Sequence, residues 1–495
     1  MSPVSPVSPI DPTPGRTGLV FDEPLLWVQS RPGRRGFSLP RRDVPEAPLD
    51  FGLVGEPPDL PELSEPQVVR HYTRLSQWNV GVDTAFYPLG SCTMKYNPKA
   101  NDRLAALPGF AGSHPLLPAG FAQGALGLLW ELERGLAEVT GMDAVCLQPA
   151  AGAQGELTGL LLIEAWHRSR GEERTKILIP DTAHGTNPAS AALCGYTPVA
   201  AASGGRGILT AAAVAALMDE DTAGIMVTNP NTLGLFEEEL PEIAAAVHAR
   251  GGQVYCDGAN LNALLGAVRL GELGADVMHV NLHKTFSGPH GGGGPGAGPV
   301  CVKAHLEPFL PAPRVVRGDD GAFAWEVDRP RSIGRVHAFH GNFGVLVRAY
   351  AYLRTLGAEG LAQASRLAVL NANYVRVALR DVLHLPFDRP CLHECVFSDA
   401  KQRPHKVNTQ DLAKRLIDYG FHPPTVYFPM VVPGALMVEP TETESKDTLD
   451  AFIAAVRAIA REAEESPELL RAAPTRTLVT RLDEAAAARQ PCLTG

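Results

Sequence analysis

The eight cysteines of this sequence form no CxxC pair. That spacing argues against a zinc ribbon and against a disulfide framework. Cys391, His393 and Cys395 fall close together, but no second ligand pair follows, so reduced thiols on a strand or loop are expected there. Apolar runs stay short of the roughly 18 residues that cross a bilayer, so no membrane span is expected. Long basic runs are also missing, and the formal net charge is −10. Nucleic acid and anionic lipid are therefore poor partners. No repeat of 20–50 residues is evident. The HGGGG run at 290–294 resembles a hydrolase oxyanion loop, yet the G-x-S-x-G partner is lacking. GPGAG at 294–298 has no strand–turn–helix start around it, which disfavours a dinucleotide site. The opening MSPVSPVSPIDPTPGR lacks a charged-then-apolar signal pattern and reads as a Ser/Pro-rich tail.

What is present is a chain of 495 residues, 45% hydrophobic, long enough for two or three domains with a large core. Residues 1–65 are proline-dense and read as an extended N-terminal arm, with the arginines at 31, 34, 35, 41 and 42 solvated. FAQGALGLLWELERGLAEVTG reads as a helix with Leu128, Leu129, Leu132 and Leu136 on one face and Gly141 as its stop. Short β-like runs follow: KILIP (176–180), GIMVTNP (224–230), QVYCD (253–257) and ADVMHVNL (275–282). They alternate with helical stretches such as ELPEIAAAVHARGG, the pattern of an α/β domain with a mostly parallel sheet. This large domain is placed at 66–350. A smaller C-terminal α+β domain is placed at 351–495, with a helix in NTQDLAKRLIDYG, a strand in PTVYFPM and a last helix near 445–464. The helix in NTQDLAKRLIDYG is expected to bury Leu412, Ala413, Leu416 and Ile417.

In such sheets ligands sit outside the carboxyl ends of the strands. His184, Asn229, Asp257 and Lys284 all fall just after predicted strands. A lysine there is a surface cation, a phosphate ligand, or a partly desolvated amine that reacts with a carbonyl. Asp257 is either an Asx turn in DGAN or the partner of a protonated pyridine nitrogen. His184 is either structural or a flat ring stacked on a cofactor. In LQPAAGAQGELTGL the small residues Ala151, Gly152 and Ala153 leave backbone N–H groups at a helix start open to a phosphate. The order of helix start, His, Asp and Lys matches a fold-type-I pyridoxal enzyme. The glycines after Lys284 then suit a tight turn beside cofactor and substrate.

Taken as whole motifs, NLHKTFSGPHGGGGPG, LQPAAGAQGE, DTAHGTNPA, YCDGANLNA and YPLGSCTMKYNPK resemble the glycine decarboxylase P-protein family of the glycine cleavage system. The resemblance covers roughly residues 60–490 and is to the half that carries the pyridoxal lysine. Ala150-Ala151 stands where relatives often carry Asn-Ser, and Ser287 where many carry Cys. The resemblance implies pyridoxal 5'-phosphate as cofactor, with Lys284 as its Schiff-base residue, Asp257 as pyridinium partner and His184 as the stacking ring. Gly152, Ala153 and His283 fall on the phosphate side, and Thr228 and Asn229 near the phenolic oxygen. Ser91, Thr93 and Lys95 border the substrate. Arg335 is a candidate for the glycine carboxylate, a surface role being the alternative. The implied reaction releases CO2 from glycine and passes the aminomethyl group to the lipoyl arm of an H-protein. The implied partner is a separate subunit 1 in a heterotetramer, and the implied compartment a prokaryotic cytoplasm. Another type-I pyridoxal enzyme, such as an amino-acid decarboxylase or cysteine desulfurase, and a non-enzymatic structural half are the competing expectations.

Overall fold

The computed structural model describes residues 23–36, 40–45, 47, 52, 54–56, 58–290, 296–477 and 479–491. The Ser/Pro-rich start at 1–16 and the glycines at 291–294 lie outside the described residues. Among the described residues the largest sheet has seven strands. These are β1 (Ala144–Cys146), β2 (Lys176–Pro180), β3 (Thr197–Ala201), β4 (Thr222–Thr228), β5 (Gln253–Gly258), β6 (Val277–Val280) and β7 (Val300–Val302). Their spatial order is β1-β7-β6-β5-β4-β2-β3. The run from β3 to β6 is parallel, and β7 is antiparallel to both of its neighbours.

The four strands read from sequence are those with unbroken apolar runs. Such runs arise because both sheet faces are covered. Along β4, Ile225 and Val227 enter one core while Ala223 and Met226 enter the other. Val254 and Cys256 of β5 likewise face away from Tyr255. The helix Gln123–Thr140 seals the first face with Leu126, Leu129, Leu132 and Leu136, and Gly141 ends it in a left-handed conformation (φ 71°). The helix Gly152–Ser169 seals the second with Leu160, Leu162 and Ile163. Strands β1, β3 and β7 escape sequence reading because two are three residues long and the third is largely exposed.

A glycine stripe seats the helix Gly152–Ser169 on the sheet. A Cβ on Gly159 would lie 2.4 Å from the Tyr255 ring, and one on Gly155 would lie 2.7 Å from the Gly298 carbonyl oxygen. These positions share one helix face, so the helix start is drawn against β6 and β7.

After a hairpin of β8 (Arg314–Arg317) and β9 (Phe323–Glu326), the helix Phe343–Leu379 runs from one core to another. Its early residues Val345, Leu346 and Ala349 join the sheet core. Ala372, Val375 and Leu379 join a second cluster with Leu412, Leu416 and Phe452. Between them the helix breaks at Gly357 (φ 60°, ψ −172°). The second cluster packs on a sheet of order β10-β12-β11, made of β10 (Cys395–Ser398), β11 (Thr425–Val426) and β12 (Ala435–Val438). The strand expected over PTVYFPM stops after Val426, because Tyr427 turns into the left-handed region (φ 56°). Ile417, expected among the buried residues of its helix, is half-buried. Phe86 packs into this second core and Leu89 bridges to Val438, so the YPLGSCTMK loop lies against the C-terminal sheet.

That loop is tied back to the large sheet by one buried cation. Lys95 Nζ donates to Glu442 Oε1 (2.7 Å), Asn262 Oδ1 (2.8 Å), the Thr285 carbonyl (2.9 Å) and Tyr352 Oη (3.2 Å). Proximity to Glu442 raises the Lys95 ammonium despite burial, and Lys95 holds the Glu442 carboxyl below its usual range against the opposing effect of burial. Removing one partner leaves an uncompensated buried charge, which costs about 3–5 kcal/mol. Lys95→Ala is therefore expected to lower the urea unfolding free energy by about that amount. Gly155→Ala should cost about 1–3 kcal/mol in the same measurement, the clash outweighing the gain in helix propensity.

Candidate active site

Because β2, β4, β5 and β6 are parallel, their carboxyl ends open on one edge of the sheet. A cleft of about 200 Å³ lies there. It is lined by Ser91, Gly152, Ala153, His184, Thr228, Asp257, His283 and Lys284 together with Glu156, Thr186, Thr232, Ala259, Asn260, His279 and Asn281. Lys284 follows β6 on the one-turn helix Leu282–Thr285. It is half-buried, and its Nζ donates to the Ser91 carbonyl at 2.7 Å.

Asp257 sits at the end of β5, 1% exposed. Its Oδ1 accepts from the Ala259 N–H at 2.9 Å and lies 3.3 Å from His279 Nε2. The other ring nitrogen of His279 lies 2.6 Å from the Tyr255 hydroxyl. Burial holds the imidazole of His279 below its usual range and the Tyr255 phenol well above. The phenol therefore donates to a neutral ring, whose Nε2–H points its dipole at Asp257. The Asn187 amide, with its nitrogen toward the two acids, donates to Asp257 Oδ2 (3.2 Å) and Glu156 Oε2 (3.3 Å). Glu156 also accepts from Thr186 Oγ1 (2.7 Å) and Ser190 Oγ (2.9 Å). Burial, then the charge of Asp257, pushes Glu156 up to about 7. His184 Nδ1 lies 2.9 Å from Thr186 Oγ1, and burial keeps its imidazole below the usual range.

The helix Gly152–Ser169 also begins at the cleft. Its N-cap is Ala151, and no side chain caps it. The first-turn N–H groups consequently carry the positive end of the helix dipole without an intrahelical acceptor. A Cβ on Gly152 would lie 2.5 Å from Asn281 Oδ1, so only glycine leaves this corner open. His283 borders it, pushed down to about 3 by burial, then by His290 and Lys284.

Comparison with known proteins supplies the affiliation. The family described as glycine dehydrogenase, C-terminal domain, matches residues 364–477, and aminotransferase class-V matches residues 158–312. Over 476 residues the chain is 56% identical to a protein named probable glycine dehydrogenase (decarboxylating) subunit 2 from Listeria innocua, covering 95% of this chain and 97% of that one. The relative of the same name from Halalkalibacterium halodurans is 55% identical over 95% of this chain and 98% of its own. The chain belongs to the glycine dehydrogenase (decarboxylating) subunit 2 family. Among solved structures, a glycine decarboxylase (P-protein) of the glycine cleavage system in inhibitor-bound form superposes with a TM-score of 0.70. It is 22% identical, covering 83% of this chain and 93% of that one. A NifS-like protein superposes at 0.60, 15% identical, over 76% and 100%. These likenesses give the fold, a fold-type-I α/β architecture.

The cofactor of that fold class is pyridoxal phosphate, and the cleft's own chemistry fits it. An uncapped helix start, a buried carboxylate and an amine all border it. Thr228 Oγ1, Asn260 Oδ1 and Asn281 Oδ1 are buried in the lining without a hydrogen-bond partner. Buried polar atoms are seldom left so, which points to a polar ligand.

Of the residues singled out from sequence, Ser91, Gly152, Ala153, His184, Thr228, Asp257, His283 and Lys284 meet in this cleft. Four do not line it. Asn229 is fully buried behind it, its Oδ1 accepting from the Glu237 N–H at 3.1 Å. Thr93 is buried against Glu439, and Lys95 is spent on Glu442. Arg335 is exposed and donates to the Ala338 carbonyl at 3.1 Å. Glu156, Thr186, Asn187 and His279 were not singled out. Glu156 follows the Ala151–Ala153 turn by about one helical turn, a spacing that could have revealed it. His279 lies inside a strand, where nothing in the sequence marks it.

His283 gives the site a pH signature. Its folded value lies below its unfolded one, so the unfolded chain binds the proton more tightly. The stabilisation from neutral His283 is complete above about 6.5 and is lost as pH falls toward about 3. His283→Gln should flatten that acid limb in thermal unfolding measured between pH 7 and 4.

Proposed function

We propose that this chain is the pyridoxal-phosphate-bearing subunit of a glycine-decarboxylating enzyme. The observation that carries the reading is the meeting of Lys284, Asp257 and an uncapped helix start in one cleft, in a chain 56% identical to relatives of that name. When bound, the cofactor supplies an aldehyde for amines and a ring that accepts the electrons left by a departing carboxylate.

The chain's residues divide the work. The N–H groups of Gly152 and Ala153, with His283, hold the phosphate by dipole and hydrogen bond. Asp257, kept in place by Ala259, His279 and Asn187, holds a proton on the ring nitrogen. His184 covers a ring face, and Thr228 offers its free hydroxyl to the phenolic oxygen. Lys284 would hold the aldehyde of the cofactor when it is bound, and the Ser91 carbonyl, which accepts from its Nζ at 2.7 Å, would hold the amine beside the cleft. Glycine loses its carboxylate as CO2. The aminomethyl carbon bonds to one sulfur of a lipoyl disulfide on an H-protein, and the S–S bond breaks. Glycine, the lipoylated H-protein and a subunit 1 are the partners in this reading, in a heterotetramer in the cytoplasm. No helix among the described residues is long and apolar enough to cross a membrane.

A desulfurase would need a reactive thiolate. Cys92 is close enough to Lys284 to feel its charge, yet burial pushes its thiol up. That is the wrong direction for such a nucleophile.

The test is glycine-dependent exchange of labelled bicarbonate, with subunit 1 and lipoylated carrier supplied. Lys284→Ala should drop to background and lose the visible absorbance of the bound cofactor, with an unchanged far-ultraviolet spectrum. Asp257→Asn should slow exchange by about 10²-fold or more, as when one preorganised electrostatic group is lost. Near-normal exchange in Lys284→Ala refutes the assignment.

A further inference from the structure

Behind Ser91 lies a second set of ionisable side chains that the scheme above leaves idle. β10 and β12 run antiparallel with Cys395 opposite Val438. That register sets Glu394 and Glu439 across from one another, just beyond the paired residues. Both are fully buried, and with His393 each offers a ligand-type atom within 4.8 Å of the others. Glu394 Oε2 accepts from the Ser91 N–H at 2.7 Å. Glu439 accepts from the Thr93 N–H (2.9 Å) and the Thr93 hydroxyl (2.6 Å). Ser91 (φ 65°) and Thr93 (φ 49°) are both in the left-handed region, which residues with a Cβ seldom adopt. Such backbone persists only where its surroundings over-determine it.

The two acids also lack an ordinary counterion. No arginine or lysine forms an ion pair with either among the described residues, and the neighbouring imidazole of His393, pushed down to about 3 by burial, is uncharged. Both His393 ring nitrogens and Glu394 Oε1 have no hydrogen-bond partner. The other charged or titratable groups facing the pair are Lys284 in the cleft, Cys92 in the loop they hold, Glu442 beyond β12, Cys391 ahead of β10 and Cys395 at its start. Two carboxylates this close in a dry site do not both ionise.

We propose that Glu394 and Glu439 share one proton and act as a positioning pair, fastening the Gly90–Thr93 loop so that the Ser91 carbonyl receives the Lys284 amine. The proposal deepens the reading of Lys284 above and rests on it for its link to the reaction. The shared proton itself is independent of that reading. Burial, the largest cause, pushes Glu439 up to about 7 and raises Glu394 as well. A carboxyl whose folded value is raised stabilises the fold below its unfolded value, near 4.5, and loses that contribution as pH rises through about 7.

The experiment measures the thermal midpoint of the cofactor-loaded protein from pH 5 to 8, and the affinity for pyridoxal phosphate by its visible absorbance. Wild type, E439Q, E394Q and E439A are compared. Glutamine imitates a protonated acid, so E439Q and E394Q should each show a shallower loss of midpoint with rising pH than wild type. Cofactor affinity should stay within about twofold in E439Q and weaken about tenfold in E439A, the scale of one lost charge-assisted hydrogen bond. An unchanged pH slope in both glutamine variants overturns the shared proton. Wild-type affinity in E439A overturns the positioning role. A midpoint that drops on adding a chelator, with metal released in proportion to protein, also overturns it, since the three side chains would then be a cation site. If E439A does not fold, E394Q decides through its slope. If no variant, nor wild type, shows visible absorbance, the fault lies in the reading of Lys284, and the slopes still judge the pair.

Discussion

One buried ion pair holds the site in shape. Lys95 and Glu442 join the loop before the sheet domain to the chain after β12, and both are almost out of water. Around the ammonium stand the carbonyl of Thr285, next to Lys284, and the side chains of Asn262 and Tyr352. Each donor is matched, which is the condition under which a buried charge is tolerable. The pair therefore acts less as a source of stability than as a specification. It makes the position of Lys284 depend on the segment that follows β12, which supplies Glu442.

The remaining acids are sorted by what surrounds them. Asp257 has a backbone N–H, an imidazole and an amide converging on its two oxygens. Those donors suit a group that faces a cationic ring nitrogen. Glu156, only an amide away, has hydroxyls and a charged neighbour and is driven toward its neutral form. The two carboxyl groups thus share one amide donor, and only Glu156 is pushed toward its neutral form. The tyrosine–histidine relay behind Asp257 extends the same logic one layer deeper, into the core under the Gly152–Ser169 helix.

How much of this could be read from the letters follows from geometry. Lys284, Asp257 and His184 were legible because a parallel sheet delivers the ends of all its strands to one edge, so residues just past apolar runs must meet. The Ala151–Ala153 turn was legible because small residues at a helix start leave its N–H groups exposed, and the fold puts Gly152 and Ala153 in the cleft lining. Lys95 was misplaced among substrate contacts because its partner is 347 residues away, and no local pattern announces such a pairing. Arg335 stood out only as a cation near the right motifs, and in the fold it turns outward to a carbonyl of its own loop. Glu394 and Glu439 were invisible for a related reason. Each is a lone acid beside a strand, and only the antiparallel register makes them a couple.

The break at Gly357 has a consequence for how the molecule tolerates change. A φ of 60° with ψ near 180° belongs to a region that glycine almost alone can occupy. A Cβ placed there would touch nothing within 4 Å. The constraint is therefore torsional and not steric, and no repacking by neighbours can relieve it. A larger residue at 357 would be accommodated in volume and refused in dihedral angle.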